Sequence, residues 1–152
     1  MLAMFLAALV MQSTPVPAPS LPPTPALDPA WKKVALAKDE YAHYIKTEAD
    51  GTQSEIIGTR QVCDCQPPHL MAMLTSALAA AKGATTAVDS VTICGAPQPR
   101  LIATGLANPA SVAHNMEVIA FRKEPALYML ELTFNGSKPP AGAETALAAL
   151  CP

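Results

Sequence analysis

Cys63, Cys65, Cys94 and Cys151 are the residues of this chain best equipped for chemistry, and Cys63 and Cys65 are separated by Asp64 alone. Cysteine sulfur can form a cross-link, take part in thiol exchange or, as thiolate, bind a soft metal ion. In an extended strand the two side chains of a C-x-C segment face the same side, with Cα atoms about 6.5 to 7 Å apart. A disulfide spans at most about 6.8 Å between Cα atoms. A bridge between Cys63 and Cys65 therefore needs a local turn, whereas a metal ion between them does not. His69, four residues beyond Cys65, completes a thiolate, thiolate and imidazole set for Cu(I) or Zn(II). Cys63, Cys65 and His69 are thus the metal-ligating candidates, although one C-x-C with one histidine is much less specific than two C-x-x-C pairs.

The other polar residues offer less. His43 falls in a strand and His114 in a loop, neither at a recognisable spacing from an acid or a nucleophile, and both read as structural or exposed. Ser111, His114 and Glu117 crowd together without forming a catalytic signature. G-x-S-x-G, H-E-x-x-H, a glycine-rich phosphate loop and a calcium loop are all missing from the sequence, so the common hydrolase, zincin, nucleotide-binding and calcium-binding readings lack support. Enzymatic activity is not expected, and no cofactor is implied. The twelve acidic and ten basic residues are scattered and give a net charge of −2. That leaves no basic stripe to neutralise phosphates, and nucleic acid is excluded as a partner.

The elements that would hold these residues begin after an unusual start. Residues 1–11 (MLAMFLAALVM) are apolar helix formers followed by Gln12, Ser13 and prolines, which matches the centre and breaker of a secretory signal spanning residues 1–13. As a helix the run would be about 16 Å long against a hydrocarbon core of about 30 Å. It is too short to span a membrane, and an integral membrane protein is not expected. Residues 14–30 contain seven prolines and read as an extended tether. The remaining residues 31–152 suit one domain, placed in the periplasm or outside the cell. In such an oxidising place four cysteines read as two disulfides, with three possible connectivities.

Within the domain, residues 31–36 and 40–47 read as strands. Asp50-Gly51 marks a hairpin turn, and residues 54–62 form the returning strand. Pro67-Pro68 opens a helix over residues 69–82 that ends at Gly83, with Leu70, Met73, Leu74, Ala77, Leu78 and Ala81 as its apolar face. Strands follow at 85–94, 100–106, 116–122 and 126–134, then a short helix at 143–150 presenting Ala143, Leu147 and Leu150. Because helices do not alternate with strands, the expected class is α+β, a single antiparallel sheet of about six to seven strands with two helices packed on one face.

The segments VTICG (residues 91–95), MEVIAFRKEPALYMLELTF (116–134) and ALAALCP (146–152) resemble those of small exported bacterial proteins with a C-terminal "LCP" helix. The element order is also loosely similar to the PsbP-like α/β/α sandwich, in which one sheet is covered by helices. The first resemblance implies that a strand cysteine and a terminal cysteine frame a β-hairpin, and so a Cys94–Cys151 disulfide. Cys63 and Cys65 are then left to each other, either as a tight bridge or free for a ligand. The expected function is an exported binding or accessory module acting on an exported protein or small ligand. The alternative is a thiol-redox or metal-handling protein using Cys63-Asp64-Cys65. An apolar-ligand carrier would need a cavity larger than one side chain between sheet and helices.

Overall fold

A computed structural model describes residues 27–81, 83–107 and 113–152. The expected signal at 1–13 and most of the tether lie outside the described residues, as does Ser111. Leu27, near the end of the expected tether, packs against the main core, and Asp28 turns the chain by accepting from the backbone N–H of Ala30 at 2.8 Å.

The chain forms one antiparallel sheet of seven strands in the order β1-β2-β3-β7-β6-β5-β4. The strands are β1 (Lys32–Lys33), β2 (Glu40–Thr47), β3 (Gln53–Val62), β4 (Thr85–Ile93), β5 (Ala96–Ala107), β6 (Ala113–Lys123) and β7 (Ala126–Phe134). Helix α1 (Pro67–Ala79) joins β3 to β4, and α2 (Ala143–Ala149) follows β7. The expected class and sheet are present. The edges are the two-residue β1, which pairs with β2, and the nine-residue β4, which pairs with β5.

The turns follow local chemistry. Gly51 has φ +83° between β2 and β3, and Asp50 Oδ1 accepts from the Thr52 N–H and hydroxyl at 2.9 and 2.7 Å. Between β4 and β5, Cys94 and Gly95 both have positive φ, 54° and 80°, the backbone that two-residue hairpins favour.

The helices do not share one face of the sheet as expected; they lie on opposite faces. Met71 of α1 packs with Leu101, Val118 and Ala120, whereas Ala143, Ala146, Leu147 and Leu150 pack with Ile119, Phe121, Leu130 and Leu132. On β6 the residues 118 and 120 belong to one cluster and 119 and 121 to the other, and alternate residues of a strand point to opposite faces. The physical cause is visible in the strand itself: Val118-Ile119-Ala120-Phe121 is apolar at every position, the pattern of a strand covered on both sides.

Two details of α1 also differ from expectation. The helix ends at Ala79, with Gly83 (φ +82°) in the turn beyond. Its inward stripe is Leu70, Met71, Leu74 and Leu78, while Met73 is 56% exposed and Ala77 is exposed too. A strand over residues 31–36 shrinks to Lys32–Lys33, and Trp31 is buried in the main core.

Candidate functional site

Between the end of β3 and the start of α1 the chain must change from strand to helix within a few residues, and Cys63-Asp64-Cys65 makes that change. The Cα atoms of Cys63 and Cys65 are 5.2 Å apart and the two sulfurs are bonded, so the local turn that a bridge requires is present. Pro67 and Pro68 occupy the first helical positions, where a missing N–H costs nothing. Gln66 caps the helix without a side-chain hydrogen bond, and no acidic residue lies in the first turn.

Arg122 holds the loop from the far end of β6. Its Nη1 donates to the carbonyl oxygens of both Cys63 and Cys65, at 2.8 and 2.9 Å. Its other nitrogens meet the Glu124 carboxylate at 2.5 and 3.0 Å, and Nη2 lies 3.8 Å from Asp64. This hydrogen-bonded pairing with Glu124 raises the Arg122 pKa and lowers that of Glu124. The contact spans 57 residues of sequence and no local pattern announces it.

Beside the loop lies a crevice of about 200 Å³. Its floor is the β3–β7 pair, where Thr59 faces Met129 and Gln61 faces Leu127. Its wall is α1, through His69, Leu70 and Met73. Cys65 lines this crevice, as does His69, so the structure brings together two of the three residues predicted to bind metal; Cys63 completes the disulfide behind them. Both sulfurs are committed to that bond. Among the described residues no group of three or more His, Cys, Asp or Glu is placed to hold a metal ion.

Cys94 and Cys151 are bonded to each other, with Cα atoms 5.4 Å apart, and both pack against the main core. This bridge ties the β4–β5 turn to the chain just after α2.

A second polar cluster escaped the sequence reading. His43 is held between two carboxylates, with Nδ1 3.2 Å from Glu40 Oε2 and Nε2 2.5 Å from Glu55 Oε1. Glu131 stands near them, and its carboxyl pKa is raised by burial first and then by Glu55 and Glu40. Glu55 and Glu131 also line a cavity of about 350 Å³ with His114 and Asn135. His114 Nδ1 and Asn135 Oδ1 are buried without a hydrogen-bond partner among the described residues. The signal that could have found this cluster is strand register, which sets Ile57 opposite both His43 and Glu131. Glu117 is directed to the other face, where Arg100 Nη1 lies 3.5 Å away, so His114 and Glu117 do not form a site together.

No family model matches the chain, and no curated protein matches it. Among solved structures the chain is similar to LpqN, described as involved in cell envelope biogenesis of Mycobacterium tuberculosis. The TM-score is 0.53 at 13% sequence identity, covering 84% of this chain and 78% of that one. At that identity the likeness is one of fold.

Proposed function

We propose that this protein is an exported accessory module of the cell envelope that binds a polypeptide partner by seating an apolar side chain in the crevice between α1 and the β3–β7 pair. The observation that carries this reading is the crevice itself. Leu70, Met73, Leu127 and Met129 give it an apolar interior, and Thr59, Gln61, Gln66 and His69 surround that interior with polar groups. This is the arrangement of an anchor pocket at a protein interface. Size decides between occupants. Pockets for small organic ligands enclose about 300 to 1,000 Å³, and about 200 Å³ falls below that range, which favours a side chain over a carried apolar molecule. Met73, 56% exposed on the helix wall, is an adaptable thioether of the kind found at permissive binding surfaces.

An extracytoplasmic location is supported by the two disulfides, since such bonds persist in oxidising compartments, by the signal-like residues 1–11, and by the fold shared with an envelope-biogenesis protein. Fractionation with N-terminal sequencing tests it, with cleavage expected between about residues 12 and 19. Recovery of full-length protein from the cytosol with Met1 intact would refute export.

The binding reading is tested by titrating the protein with a permanently unfolded, carboxymethylated polypeptide and following backbone amide shifts. Saturable shifts are expected at Thr59, Leu70, Met73 and Leu127, with binding abolished by Met73→Asp. Shifts confined to the α2 face, or binding indifferent to Met73→Asp, would overturn it.

A further inference from the structure

We propose that the Cys63–Cys65 disulfide is a thiol–disulfide exchange centre acting on cysteines of the polypeptide seated in the neighbouring crevice; this rests on the binding reading for its substrate but not for its chemistry. The two bridges of the molecule differ in the length of chain they close and in their packing on the core. Cys94–Cys151 joins residues 57 apart and both partners pack on the main core. Cys63–Cys65 joins residues two apart, so it removes little chain entropy from the unfolded state and contributes little to stability. All four cysteines are partly buried, but Asp64 between Cys63 and Cys65 is fully exposed, which leaves this loop open to solvent. An attacking thiolate needs such access.

The surroundings are those of a reactive site. Cys65 directly precedes the N-cap of α1, where the positive end of the helix favours a thiolate. No first-turn acid opposes that effect. Arg122 bonds to the carbonyls of both cysteines rather than to their sulfurs, so it keeps the loop closed whether or not the sulfurs are joined. It is a positioning residue, and it holds the two thiols of the reduced form within reach of each other.

A substrate thiolate attacks Cys65 Sγ from the crevice, the Cys63–Cys65 bond breaks, and Cys63 leaves as thiolate. A second substrate thiolate then attacks the substrate sulfur of the mixed disulfide, and Cys65 leaves as thiolate. Two electrons and two protons pass from the substrate dithiol to the protein, which becomes the dithiol. Oxidised glutathione, or another disulfide donor, reverses the change on the protein.

The test uses the exported protein with both bridges formed. In glutathione buffers quenched by alkylation, Cys63–Cys65 is expected to open at a reducing ratio at least about ten-fold milder than Cys94–Cys151. Cys63→Ser is expected to form a mixed disulfide through Cys65 when its free thiol is offered oxidised glutathione or the disulfide form of a short dithiol peptide that carries leucine beside each cysteine, the other sulfur of the reagent leaving as thiolate. Met73→Asp should slow the wild-type reaction with the dithiol peptide about ten-fold more than its reaction with glutathione; if the two reactions slow alike, the crevice reading fails and the exchange centre stands. Arg122→Gln should shift the glutathione equilibrium constant toward the reduced loop, a readout that loss of packing alone does not move. Simultaneous opening of the two bridges, or failure of Cys63→Ser to form a mixed disulfide with either disulfide reagent, would overturn the proposal.

Discussion

Glu131 stands one outward step along β7 from Met129, so this face of the strand passes from apolar to acidic within about 7 Å. Burial, then Glu55 and Glu40, raise its carboxyl pKa. A carboxyl whose folded value lies above its unfolded value binds a proton more tightly in the folded state. Its contribution therefore falls as pH climbs from the ordinary carboxylate range through the raised value, and returns as pH drops. Glu131→Gln should accordingly be more stable than the parent at neutral pH, with the gain vanishing in acid, when thermal midpoints are compared across pH. A constant difference between the two curves would show that Glu131 does not titrate differently in the folded state. At this scale the sequence was legible only where chemistry is carried by residue type. The C-x-C segment is plain in the sequence. Arg122 is not, because its partners are backbone carbonyls, and neither is the His43 pair of carboxylates, because Glu55 meets it across a strand register.

The elements were easier to read than their orientation. Strand alternation and the Asp50-Gly51 turn gave most boundaries, and Pro67-Pro68 gave the start of α1. The inward stripe of α1 was missed because Met71, Met73 and the surrounding alanines and leucines are apolar around most of the helix, so periodicity does not single out one face. The consequence is measurable. Leu130 is fully buried on β7, and Leu130→Ala should cost about 2 to 5 kcal/mol in denaturant unfolding. Leu74 is only partly buried on α1, and Leu74→Ala should cost well under that; equal losses would place α1 deeper than described. On β3, a Cβ at Gly58 would lie 2.8 Å from the Tyr41 ring, whose hydroxyl donates to the Leu150 carbonyl at 2.8 Å. Gly58→Ala should therefore displace Tyr41, loosen α2 and cost about 1 to 3 kcal/mol, as overpacked sites do. An unchanged unfolding midpoint would mean that the ring yields freely.

For the molecule as a whole, one sheet serves two cores, and the main one depends on a seven-residue helix tied down by a covalent bond. Replacing Cys94 and Cys151 by Ser should cost roughly 4 kcal/mol on the chain-entropy estimate for so long a loop. Replacing Cys63 and Cys65 by Ser should leave the unfolding midpoint nearly in place. Reversal of that order would make the short bridge the structural one. The two-sided cover of the sheet was the largest feature missed, though the uninterrupted apolar run at 118–121 carried the signal. The unequal edges have a further bearing on how copies of this chain could associate. At one side the two-residue, cationic β1 pairs only Tyr44 and Ile45 of β2, whereas β4 presents nine residues at the other. Among the described residues β4 is the longer continuous edge, and two copies joined back to back through it would use both such edges at once under a twofold axis.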